Sequence, residues 1–121
     1  MSKRVLICDD EPDIAELIGR YFEAVGCDVV VETDPVAGFR RAAEEEFYLI
    51  TVDMMMPGMN GNLAINSISM LRPEARILVI TGLDEGHEMV KAAREEGHFT
   101  DILYKPFTMA DLSGKLHKLG L

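Results

Sequence analysis

Tryptophan is missing from this chain, and cysteine occurs only twice among its 121 residues, at Cys8 and Cys27. Two thiols are too few for a disulfide framework. Cys8 closes one apolar run and Cys27 opens the next, so on parallel strands they fall at opposite ends. Two reduced thiols in a cytosolic protein are expected. Long apolar runs are lacking as well: none approaches the roughly 18–20 residues of a membrane span. Met1-Ser2-Lys3-Arg4 leads straight into a short strand-like segment, without the anatomy of a signal peptide. Basic residues are scarce, 12 Lys and Arg against 21 Asp and Glu, and the formal net charge is −9. That balance argues against direct contact with nucleic acid or an anionic membrane. His87, His98 and His117 show no metal-ligand spacing. A Gly-x-Gly-x-x-Gly fingerprint and a phosphate-loop lysine motif are both missing, which argues against a nucleotide-binding module.

What the chain has is an apolar fraction of 48%, ample for one core and read as one domain over residues 1–121. Strand and helix signals alternate five times. Arg4–Cys8 reads as a strand. Pro12 opens a helix that Gly26 ends, with Ile14, Leu17, Ile18, Tyr21, Phe22 and Val25 on one face. Val29–Thr33 is a second strand. Asp34-Pro35 then supplies a helix cap and a proline at the first helical position, with Val36, Phe39, Ala43 and Phe47 expected to face inward. Leu49–Val52 is an unbroken apolar strand, as expected where both sheet faces are covered. Asn60–Leu71 is a third helix, Arg76–Ile80 a fourth strand, Gly86–Glu96 a fourth helix and Asp101–Tyr104 a fifth strand. Thr108 with Asp111 resembles a capping box opening a last helix, with Met109, Leu112, Leu116 and Leu119 turned inward. The class is α/β: a single doubly wound, five-stranded parallel sheet, (βα)5, with the flavodoxin-like strand order 2-1-3-4-5 common at this size.

The chemistry gathers at the carboxyl ends of the strands. Asp9-Asp10 follow the first, Asp53 the third, Thr81-Gly82 the fourth and Lys105-Pro106 the fifth. Carboxylates at such exits converge on one edge of the sheet, where α/β folds bind ligands. Three like charges there repel, and a divalent cation is the natural remedy. Magnesium suits hard oxygen ligands. A lysine supplies a compact counter-charge, a threonine a hydroxyl donor, and a glycine close backbone approach to an oxyanion. Such a set would stabilise a transferring phosphoryl group.

The pattern Asp9-Asp10, Asp53-Met54-Met55-Met56-Pro57-Gly58, Thr81-Gly82 and Lys105-Pro106-Phe107 resembles the receiver domain of two-component response regulators, the CheY-like family. The resemblance covers essentially the whole chain. It implies a phosphorylation-activated switch in a phosphorelay, not a turnover enzyme. Asp53 would accept a phosphoryl group from a sensor histidine kinase or phosphotransfer protein. Asp10 and Asp53 would ligate Mg2+ directly, with Mn2+ as a substitute, Asp9 largely through water, and the backbone carbonyl of Met55 would complete the set. The backbone of Met54 and Gly82 would bind the phosphoryl oxygens, Thr81 would hydrogen-bond them and Lys105 would pair with them. Pro106 would follow a cis peptide bond. The output would leave through the face of the fourth helix, fifth strand and fifth helix, toward an output domain or partner, with a phosphorylation-dependent homodimer as one form. A cytoplasmic location is implied.

Several positions depart from the family pattern. The inward-turning aromatic three residues before the lysine is Ile102 here, so the switch would rest on Thr81 and an aliphatic side chain. Tyr104 is expected on the other face of its strand. The turn before that strand looks a residue longer than usual, and Phe99 within it is expected in the core. Met55 and Leu83, which resemble the positions flanking the attacking water, are apolar and cannot orient it, so slow self-dephosphorylation is expected. Met56 is expected under its loop and Met54 at the pocket mouth. A phosphohydrolase of the haloacid dehalogenase type fits poorly, because Asp9-Asp10-Glu11-Pro12-Asp13 lacks the Asp-x-Asp-x-Thr pattern. A receiver acting only as a docking module is the other alternative.

Overall fold

A computed structural model describes residues 2–121. The elements are β1 (Arg4–Cys8), α1 (Pro12–Ala24), β2 (Asp28–Glu32), α2 (Pro35–Glu44), β3 (Leu49–Val52), α3 (Gly61–Leu71), β4 (Arg76–Thr81), α4 (Glu88–Glu96), β5 (Asp101–Tyr104) and α5 (Met109–Lys118). All five strands pair in parallel, as the alternating pattern implied, and in the order β2-β1-β3-β4-β5 that is common at this size. Each central strand is buried on both faces, and its side chains divide by parity between two cores. Leu6, Cys8, Ile50, Val52, Ile77, Val79 and Ile102 meet Ala42 of α2, Ile65 and Ile68 of α3, and Val90 and Ala93 of α4. Val5, Ile7, Leu49, Leu78, Ile80 and Leu103 meet Ala15, Ile18 and Phe22 of α1 with Leu112 and Leu116 of α5. A fully buried Ile, Leu or Phe stabilises by about 1.5–3 kcal/mol relative to exposure.

The helix ends follow local chemistry. Asp34 accepts the Ala37 N–H and Asn60 accepts the N–H groups of Asn62 and Leu63. His87 Nδ1 accepts the Met89 N–H, and α4 begins two residues later than Gly86. Thr108 and Asp111 form the reciprocal capping box. At α1 the cap position is Glu11, whose side chain makes no cap bond.

The inward faces differ in detail from those expected. Leu17 and Val25 are half-exposed, because α1 settles on Ala15, Ile18, Gly19 and Phe22. Val36 faces solvent and Ala43 is only half-buried, because α2 turns Gly38 and Ala42 to the sheet. A Cβ at Gly38 would stand 2.9 Å from Cys8 Sγ, so the lack of one admits the helix backbone. Met109 is also partly exposed, while Leu112, Leu116 and Leu119 are buried as expected. Small residues let a helix approach closely, and so they displace the centre of the buried face from the large apolar side chains that a periodicity count weights most.

Candidate functional site

The parallel register places the site. Cys8 lies beside Val52, and Val52 beside Val79, so the residues following β1, β3 and β4 emerge together at one sheet edge. The ladder continues one step, with the Asp53 N–H donating to Cys8 O at 3.1 Å. Asp9 and Asp53 are thereby neighbours and both are buried. Lys105 arrives after β5, its backbone N–H donating to Thr81 O at 2.7 Å, and precedes the cis peptide bond to Pro106.

Lys105 Nζ donates to Asp53 Oδ2 at 2.8 Å, Asp9 Oδ2 at 3.0 Å and Glu11 Oε1 at 3.0 Å. The other oxygens of the two aspartates are held by backbone: Asp9 Oδ1 accepts the Glu11 N–H and Asp53 Oδ1 the Met55 N–H, both at 2.9 Å. Thr81 is fully buried, and its Oγ1 accepts the Leu83 N–H at 3.1 Å. Gly82 beside it is exposed, and a Cβ there would meet nothing within 4 Å.

Burial raises the Asp9 carboxyl above its ordinary value, against the opposing pull of the Glu11 N–H and Lys105. Burial works to lower Lys105, but its bonds to Asp53, Asp9 and Glu11 outweigh that and hold the ammonium above the usual lysine value. Carboxylate oxygens of Asp9, Asp10, Glu11 and Asp53 all lie within 4.8 Å of one another. Four carboxylates against one ammonium leave a formal charge of −3 in a partly dry crevice. Such a donor set is all hard oxygen with surplus negative charge, and it fits a divalent cation of the magnesium or calcium kind.

The structure brings together Asp9, Asp10, Asp53 and Lys105, and sets Thr81 and Gly82 at the adjoining strand exit. Two expectations need correction. Met54 does not border the mouth: it is 1% exposed within the core, whereas Met55 is 54% exposed and Met56 is buried as anticipated. The Asp53–Met55 bond turns the chain so that the Met54 side chain joins Ile65 and Ile68 of α3, and Gly61, lacking a Cβ, admits the Met54 backbone. Tyr104 does not lie on the face opposite Ile102. Residues two apart on a strand share a face, and both side chains pack on the same core while Leu103 joins the other. The Tyr104 hydroxyl accepts from Arg94 of α4 at 2.8 Å. Phe99 is partly buried against that core, in line with expectation. Glu11 is the member that sequence reasoning missed. Its signal was present: an acidic residue directly after two aspartates and directly before the proline that opens α1.

Residues 5–117 match the family model described as the response regulator receiver domain. The alkaline phosphatase synthesis transcriptional regulatory protein PhoP of Bacillus subtilis is 28% identical over 96% of this chain, which spans 48% of that relative's length. A CheY-like response regulator receiver domain protein from Methanospirillum hungatei superposes with a TM-score of 0.89 at 25% identity, over 99% of this chain and 95% of that one. A Burkholderia pseudomallei response regulator, solved with a phosphorylated aspartic acid, a calcium ion and citrate, is 28% identical with a TM-score of 0.81. That match covers 93% of this chain and 65% of the other.

Proposed function

The chain belongs to the response regulator receiver domain family, and from that premise we propose that Asp53 takes the phosphoryl group. The observation that carries this reading is the buried Asp53 carboxylate, 2.8 Å from Lys105 Nζ and inside a cluster of four carboxylates. The donor is a phosphohistidine of a sensor histidine kinase or phosphotransfer protein. An Asp53 oxygen attacks phosphorus, the P–N bond breaks, and its electron pair stays on the imidazole, which takes a proton from solvent. Lys105, already beside Asp53, pairs with the new phosphoryl oxygens. Thr81 gives up its contact with the Leu83 N–H and donates its hydroxyl to them, together with the N–H groups of Met54 and Gly82. Asp10 and Asp53, Asp9 through water, and the Met55 carbonyl would hold Mg2+, or Mn2+ in its place. A cation bound there supplies positive charge to the crowded carboxylates and to the phosphoryl oxygens.

Modification replaces a monoanion with a group of greater charge and three acceptor oxygens. Moving the Thr81 hydroxyl disturbs the turn through Leu83, which packs on the same core as Val90, Ile102 and Tyr104. Ile102, buried beside Val79 in that core, serves as the aliphatic half of the switch. The change biases two pre-existing arrangements of the α4–β5–α5 face, which meets an output domain, a partner protein or a second phosphorylated copy. Nucleic acid and membrane are not contacted by this acidic domain itself, and the setting is the cytoplasm. Among the described residues no helix is long and apolar enough to cross a membrane.

The test is Asp53→Asn treated with acetyl phosphate and Mg2+, followed by intact mass. The wild type should gain one phosphoryl group and the variant none. Full labelling of the variant would remove Asp53 as acceptor. A wild type that takes no label under any condition would favour a docking module.

A further inference from the structure

Lys105 has three N–H groups to give, and the structure uses all of them, on Asp53, Asp9 and Glu11. Before the Asp53–phosphorus bond forms, an oxygen of the arriving phosphoryl group can therefore gain a bond from Lys105 only when one carboxylate lets go. The three are not equally able to. The side chains of Asp9 and Asp53 are 3% and 4% exposed, whereas that of Glu11 is 55% exposed. Buried carboxylates lose a great deal when stripped of a partner, while an exposed one recovers its bonds from water. Asp9 is further tied through Oδ1 to the Glu11 N–H. Glu11 spends no bond on capping, since it caps α1 by position alone.

The geometry points to Glu11 as a placeholder on Lys105: its carboxylate occupies the ammonium N–H that the incoming phosphoryl group takes, and its release is part of the cost of phosphorylation. Glu11 is thus a positioning residue acting through Lys105, an inference that rests on Asp53 being the acceptor. It also stands at the wall of an open cavity of about 380 Å³, shared with Ile14, Leu17, Lys105, Pro106 and Phe107, where a released carboxylate has room to turn to solvent. The competing role for Glu11 is cation ligation, for it belongs to the same carboxylate cluster. The two roles predict opposite signs. A placeholder slows phosphoryl transfer and its removal accelerates it; a cation ligand promotes transfer and its removal weakens metal binding.

The experiment uses the whole chain, acetyl phosphate and MgCl2, and compares wild type with Glu11→Gln and Glu11→Ala. In the step measured, an Asp53 oxygen bonds to phosphorus, the P–O bond to the acetyl group breaks and acetate leaves with the electron pair. Both variants should phosphorylate about two- to fivefold faster at low salt, the span of one exposed ion pair. The gap should close at about 1 M salt, where the screening length is about 3 Å. The Mg2+ concentration for half-maximal rate should not rise. Unchanged or slower rates in both variants would overturn the placeholder role, as would a raised Mg2+ requirement. A wild type that labels while the variants fail to accelerate removes this inference alone; a wild type that does not label removes the acceptor assignment beneath it.

Discussion

Replacing Gly61 with alanine should destabilise the fold, although the residue opens a helix where alanine is the better helix former. A Cβ built there lies 2.6 Å from Met54 O, 2.7 Å from Met54 Cα and 3.0 Å from Met54 C. Nonbonded carbon atoms sit comfortably at about 3.5–4.0 Å, so the helix start and the β3 exit must part by most of an ångström. The obstructing atoms are backbone and have no rotamer in which to escape. Overpacking of this kind costs about 1–3 kcal/mol, set against at most about 1 kcal/mol of helix propensity gained. We expect a net loss of about 1–2 kcal/mol, seen in urea or thermal unfolding followed by far-UV circular dichroism as a fall in Tm of roughly 3–10 °C. Met54 adjoins Asp53, and the Met55 N–H that holds Asp53 Oδ1 lies on the displaced segment, so phosphorylation should slow as well. The matched control is Gly114→Ala. Gly114 is exposed inside α5, and its Cβ would meet nothing within 4 Å. That variant should gain about 0.5–1 kcal/mol from the same chemical change. Gly61→Ala with a Tm equal to or above wild type would refute the reasoning.

Three further outcomes are expected. Mg2+ should raise Tm, by about 1.4 kcal/mol of stability at roughly ten times its dissociation constant; chelator should reverse the shift and Asp10→Asn should weaken it, while a Tm indifferent to Mg2+ would count against the cation site. Phosphoprotein freed of donor should lose phosphate slowly, because exposed Met55 and half-buried Leu83 present no hydrogen-bonding group to water; a lifetime of seconds would contradict this, and Met55→Asn should shorten it. Burial chiefly, helped by the charges of Glu32 and Asp9, pushes the Cys8 thiol from 9.0 up to about 12. Native protein should therefore alkylate first at the partly exposed Cys27, although burial raises that thiol too, against the charge of Lys3. The shift at Cys8 slows that thiol about 1000-fold relative to an unperturbed one. Above pH 9 the unfolded chain releases this proton while the folded one keeps it, so stability should fall between pH 9 and 12, by at most about 4 kcal/mol. Equal alkylation rates at the two thiols in native protein would sink this reading.

How much could be read in advance differs from residue to residue. Asp9, Asp10, Asp53, Thr81 and Lys105 were legible because each directly follows or ends an apolar strand, and a parallel sheet delivers all such exits to one edge. The capping box at Thr108 and the Asp34-Pro35 helix start were legible because both are local, decided within four residues. Met54 was not, because its direction depends on an Asp53 side chain bonding the backbone two residues on, and on Gly61 leaving room from another element. Tyr104 was misplaced through a parity slip that the core packing corrects.

Alternation of short apolar runs with amphipathic segments by itself determined five strands, five helices and a shared acidic edge. Those features follow from period and position along the chain. Tertiary structure alone decided which faces of α1 and α2 are buried, since close approach at Gly19 and Gly38 depends on what the sheet presents there. It also decided that one ammonium is divided among Asp53, Asp9 and Glu11. A charge balance among residues brought together by β1, β3 and β5 exists only once the strands have paired, because Coulomb energy depends on distance in space and on the burial around each charge.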